Sequence, residues 1–145
     1  MSAAGFAAVD HPADLALRVW AGDRGELFRQ AARGLATELW GTAPPTATRE
    51  TTLAVTGLDA EELLVAWLGE ILYVLERDRL ALTDFERPEI AAESEGLRLS
   101  GRARGFLWDP ERRTPRVEIK APTYHRLAIV PDRQGRFDVT IVFDT

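Results

Sequence analysis

Two stretches of the chain repeat their apolar residues at helical spacing, and the rest alternates with a period of two. Asp23, followed three residues later by Glu26, reads as an N-cap with an acidic third position. Leu27, Phe28, Ala31, Leu35 and Leu39 then recur until Gly41, which predicts a first amphipathic helix. Asp59 and Glu62 repeat the cap, and Leu63, Leu64, Trp67, Leu68, Ile71, Leu72 and Leu75 trace a broad stripe closing at Arg77 and Arg79. This second helix is the predicted hydrophobic spine. Strand periodicity appears where Leu15, Leu17 and Val19 alternate with Ala16, Arg18 and Trp20, after a short strand over 6–9 and a turn at His11-Pro12-Ala13-Asp14. Thr51, Leu53 and Val55 mark one side of another strand, reached through a Pro44-Pro45 loop and ending at Gly57. From Leu82 onward the pattern is strand-like, with turns at Ser94-Glu95-Gly96, Trp108-Asp109-Pro110 and Asp132-Arg133-Gln134-Gly135. Two strand-helix units followed by hairpins predict a single α+β domain over 1–145. Its expected form is a mixed, mostly antiparallel sheet of about six strands, with both helices on one face.

Composition narrows the chemistry. With 145 residues and no cysteine, the chain holds one ordinary core and lacks disulfides, thiolate zinc sites and cysteine nucleophiles. The first nine residues carry no basic side chain and no long apolar run exists, so neither an export signal nor a membrane span is read, and a cytoplasmic location is expected. A net charge of −5 disfavours bulk attachment to nucleic acid. Arg98, Arg102 and Arg104 nevertheless share one face of a period-two strand. That stripe faces RNA or, as the favoured reading, is a solvated face paired with Glu86, Glu89 or Glu93.

Lys120 is the one lysine beside seventeen arginines, and it opens Lys120-Ala121-Pro122-Thr123-Tyr124-His125. Lysine offers a compact, hydrated point charge on a flexible stem, where arginine offers a planar fork, so its placement next to a Tyr-His pair marks a candidate site. The two histidines, His11 and His125, fall one in each polar turn, poised for ligation or hydrogen bonding. At the other end, Val139, Ile141 and Phe143 form a buried-looking strand running into Asp144-Thr145. If that strand lies beside the one starting at Leu15, Asp14 and Asp144 come together with the oxygens of Thr145. Such an all-oxygen set selects calcium, magnesium or manganese. On spacing alone the plainer reading stands beside it, with Asp14 an Asx-turn residue and Asp144 solvated. Phosphate loops, paired helical histidines and the serine-nucleophile elbow are missing from the sequence.

Taken together, these elements resemble the archease family over essentially the whole length. His11-Pro12-Ala13-Asp14 is similar to that family's His-Thr-Ala-Asp, Trp67 to Tyr73 to its Trp-Leu-x-Glu-Leu-Leu-Tyr helix, and Lys120 to His125 to its Lys-Ala-x-Thr-Tyr-His signature. Val142-Phe143-Asp144-Thr145 resembles its terminal strand. The resemblance implies a metal site of Asp14, Asp144 and Thr145, most often described with calcium, with magnesium or manganese as alternatives. It also implies a non-enzymatic role: binding the RtcB-type tRNA-splicing RNA ligase and promoting its guanylylation from GTP, so that the ligase turns over repeatedly. RNA would be met only indirectly, no membrane is involved, and His11, Lys120, Tyr124 and His125 would contact phosphate or the partner. Pro12, Ala16 and Phe106 depart from the family's usual threonine, glycine and glutamate, and Phe106 carries no metal or partner role onto its hairpin. The competing classes are a small metal-dependent phosphohydrolase using Asp14, Asp144 and His11, and an RNA-binding adaptor working through the arginine stripe.

Overall fold

A computed structural model describes residues 4–10 and 14–145. The α+β class holds, with two helices and antiparallel strand pairs throughout. β1 (Gly5–Val9) and β2 (Leu15–Ala21) lead into α1 (Arg24–Trp40); β3 (Arg49–Gly57) leads into α2 (Ala60–Asp78). There follow β4 (Leu80–Phe85), β5 (Glu89–Glu93), β6 (Gly96–Leu107), β7 (Ala121–Pro122), β8 (Val130–Pro131) and β9 (Phe137–Asp144).

These described strands number nine where about six were expected, and they divide between two sheets. One has the order β1-β2-β9-β7, with β8 also on β9; the other has β3-β6-β4, with β5 also on β6. The long β6 explains part of the division, because it pairs with β3 along one side and with β4 and β5 in succession along the other. Both helices touch both sheets: α1 packs on β1, β2 and β9 and on β4 and β5, while α2 packs on β3, β4 and β6 and on β7.

Local chemistry sets the helix ends as expected. The Asp23 carboxylate accepts the Glu26 N–H at 2.9 Å and Asp59 accepts the Glu62 N–H at 2.8 Å. Gly41, at φ 82, stops α1 in a conformation open to glycine, and Arg79, at φ 53, caps α2 in the left-handed region. Asp23 also accepts two hydrogen bonds from Arg87, at 2.8 and 3.1 Å, tying the start of α1 to the chain leaving β4.

Trp67 joins the helices. It is fully buried, its indole N–H donates to the Phe28 carbonyl at 3.0 Å, and its ring meets Phe85 edge-on at 6.2 Å. Close approach between β6 and β4 depends on Gly105: a Cβ there would run into the Ala81 carbonyl oxygen and lie 2.8 Å from the Leu82 Cα. This is where β4 carries an irregularity between Leu82 and Asp84. Phe106 is buried too, edge-on to Trp40 at 5.1 Å, so its departure from a family glutamate fills core.

Candidate metal and partner site

β9 lies between β2 and β7, and this arrangement brings the flagged residues together. The β2–β9 ladder ends with Leu15 opposite Phe143, so Asp14 and Asp144 are the next residues on the two strands. On its other flank Asp144 stands opposite Ala121, and its backbone carbonyl accepts the Lys120 N–H at 2.8 Å. Asp14 is half-buried, whereas Lys120, Asp144 and Thr145 are exposed. His11, with Pro12 and Ala13, lies outside the described residues.

The segment after Lys120 is pinned to β9 by its own polar atoms. Thr123 donates both its N–H (2.9 Å) and its hydroxyl (2.8 Å) to the Val142 carbonyl. The His125 N–H donates to the Thr123 hydroxyl oxygen at 3.3 Å, and the Leu127 N–H donates to the Tyr124 carbonyl at 3.1 Å across Arg126 at φ 50. The resulting turn leaves Tyr124 59% exposed and His125 exposed beside the end of β9.

Chemically, Asp14 and Asp144 offer hard oxygen donors at neighbouring positions on the two strands, with Thr145 next in the chain. Adjacent carboxylates repel unless a cation or a proton comes between them. Among the described residues no three His, Cys, Asp or Glu side chains gather into a metal-holding group. A carboxylate pair alone falls short of the six to eight oxygen ligands that calcium takes.

Beside this tip runs a groove of about 690 Å³ that periodicity did not reveal. One wall is a stripe of α2 carrying Gly69, Leu72, Tyr73 and Glu76, with the capping Arg79 beyond it; the other is the chain from Thr114 to Pro122, including Glu118 and Lys120. Trp108 closes part of the groove, with the Arg79 guanidinium 5.1 Å over its ring. The one sequence trace of this feature is Gly69, a glycine in the interior of a helix.

The arginine stripe is charge-compensated at its centre, Arg102. Arg98, Arg102 and Arg104 are exposed and alternate with buried Leu99, Gly101 and Ala103. Arg102 bridges Glu50 at 2.8 Å and Glu86 at 3.4 Å, which hold its guanidinium above its usual pKa, the hydrogen bond to Glu50 foremost. Glu86 is among the anticipated partners; Glu50, across on β3, is an added one. Among the described residues no helix is long and apolar enough to cross a membrane.

Comparison with known proteins agrees with this architecture. The chain is 37% identical over 139 residues to protein archease of Methanopyrus kandleri, covering 94% of this chain and 96% of that protein. It is 31% identical over 135 residues to protein archease of Pyrococcus furiosus, covering 93% and 94%. The solution structure of Methanobacterium thermoautotrophicum protein 1598 superposes with a TM-score of 0.80 at 29% identity, covering 97% of this chain and 99% of that one. Residues 6–145 match the model of the Archease protein family. With the fold shared from end to end and the match running across the paired strands, both helices and the Lys120 turn, the chain belongs to the archease family.

Proposed function

We propose that this archease is a non-enzymatic activator of the RtcB-type tRNA-splicing RNA ligase, promoting guanylylation of the ligase from GTP and so its repeated turnover in RNA end joining. The reading places the protein in the cytoplasm with its ligase and has it meet RNA only through that partner. The observation that supports it is the convergence at one end of β9: Asp14 and Asp144 follow the last β2–β9 pair, and Lys120 bonds the Asp144 carbonyl.

In this reading Asp14, Asp144 and the oxygens of Thr145 would hold a divalent cation, calcium first, with magnesium and manganese as competitors. The bound ion would supply positive charge for a phosphate or carboxylate on the partner. Lys120 would add a point charge beside it, and the exposed Tyr124 and His125 would make further contacts. The compensation of Arg102 by Glu50 and Glu86 weighs against an RNA-binding face on β6.

The test is a multiple-turnover ligation assay with the cognate ligase, GTP and RNA ends, comparing wild type, Asp14→Ala and Asp144→Ala. Wild type raises turnover and both variants lose most of the stimulation. Turnover no higher with wild type than with ligase alone refutes the proposal, and phosphate release by the isolated protein with magnesium or manganese would instead favour a phosphohydrolase.

A further inference from the structure

We infer that Glu61, on the first turn of α2, is a positioning residue for partner recognition, its carboxylate fixing the turn that presents Tyr124 and His125. The inference rests on the ligase-activator reading and adds to it a residue outside the acidic tip that sets how this turn is offered. Three acidic side chains stand at the start of α2, and two of them serve the helix itself. Asp59 accepts the Glu62 N–H at 2.8 Å, and Glu62 accepts the Leu58 N–H at 3.0 Å, so the capping is complete without Glu61. Glu61 reaches elsewhere. Its Oε2 accepts the Ile129 N–H at 3.1 Å, a partly buried bond between groups 68 positions apart in the chain.

That bond fastens the segment after β7 to a second element. Upstream, Thr123 ties the segment to β9 through the Val142 carbonyl, at 2.9 and 2.8 Å. Downstream, Val130 and Pro131 pair with Asp138 and Phe137 of the same strand. Between these two anchors on β9, Glu61 holds the chain to α2. Leu127 and Ile129 are half-buried against the core, while Tyr124, His125 and Arg126 are exposed. Arg126 is the second observation, because its φ of 50 is a left-handed conformation that disfavours a side chain and persists only where the surroundings impose it. The clamp on Ile129, three residues further on, is one such imposition. A turn already held in one conformation loses less freedom when a partner docks on it, so the clamp acts on the strength of binding and leaves the rate of the activated ligase alone.

The experiment is the multiple-turnover ligation assay with cognate ligase, GTP and RNA ends, run over a range of activator concentrations with wild type, Glu61→Gln and Glu61→Asp. Glutamine keeps the reach and an acceptor oxygen but removes the charge. Aspartate keeps the charge, which suits the first turn of a helix, but falls one methylene short of Ile129. Glu61→Asp is expected to need about fivefold more activator for half-maximal stimulation and to reach the wild-type plateau, while Glu61→Gln stays within twofold of wild type throughout. Amide hydrogen exchange of the isolated proteins across residues 124–129 is expected to quicken in Glu61→Asp only. Half-maximal stimulation by Glu61→Asp within twofold of wild type, a Glu61→Gln protein as weak as Glu61→Asp, or a lowered plateau at an unchanged half-maximal concentration overturns the positioning role alone. No stimulation by wild type overturns that role and the activator reading together.

Discussion

Replacing Asp144 by asparagine should reverse its effect on stability between chelator and calcium. The substitution keeps size and shape, and it spares the Lys120 hydrogen bond, which uses the backbone carbonyl. Asp14 and Asp144 follow the last paired residues of adjacent strands, so their carboxylates can be taken as about 5 Å apart, given the cross-strand spacing of sheets. Two unit charges at that distance in water repel by about 0.8 kcal/mol, and physiological salt halves this. Without metal, Asp144→Asn should therefore melt about 1 °C above wild type. With calcium the sign changes. A site with few protein ligands binds with a Kd of about 0.1–1 mM, so 10 mM calcium stabilises wild type by about 1.4–2.7 kcal/mol. A tenfold loss of affinity removes about 1.0–1.3 kcal/mol of that, leaving the variant about 2–3 °C below wild type after its metal-free gain is counted. Circular dichroism melts in chelator and in 10 mM calcium measure both arms. A wild-type melting temperature indifferent to calcium, or a calcium shift of equal size in the variant, refutes the metal assignment.

Other perturbations probe the scaffold. Trp67→Phe forfeits the buried hydrogen bond to the Phe28 carbonyl and part of an indole volume, which should cost about 2 kcal/mol in urea denaturation; a cost below about 0.5 kcal/mol would deny Trp67 its part in joining the helices. Gly105→Ala drives a methyl group into the Ala81 carbonyl where only backbone can yield, and a loss of about 3 kcal/mol by the same method is expected. Asp23→Ala removes the α1 cap and should cost about 1 kcal/mol at pH 7. The Asp23 carboxyl is held below its usual pKa, first by the Glu26 N–H and then by Arg87. Its folded pKa being the lower one, that stabilisation is present above about pH 4 and fades as pH falls further, so the deficit of Asp23→Ala should shrink in acid. A deficit constant from pH 7 to pH 3 would contradict this.

Both helices are legible because caps and period agree. Asp23 and Asp59 each bond the N–H three residues on, and the apolar stripes name most of the residues that end up buried. The tip is half legible. Alternation in Leu15–Val19 and Val139–Phe143 identifies two buried strands, but their adjacency is a tertiary fact that no local pattern encodes. β7 and β8 span two residues each, too short to show a period, which is one reason the strand count exceeds the expectation. The groove is hidden for another reason. Its walls come from α2 and from an irregular stretch some forty residues further on, and Gly69 alone breaks the local rule that would otherwise put a side chain there.

The pairing of β2 with β9 also governs when the site can exist. Arg18 on β2 and Asp138 on β9, bonded at 2.6 Å across the ladder, are separated by 120 positions in the chain. Such distant strands meet only after a large loop has closed, a slow event in folding because its entropy must be spent before any contact rewards it. The two acidic groups belong to the same late step. On the proposed reading, an ion that needs both of them would report on the finished protein, and ligase activation would be reserved for molecules that have completed their topology.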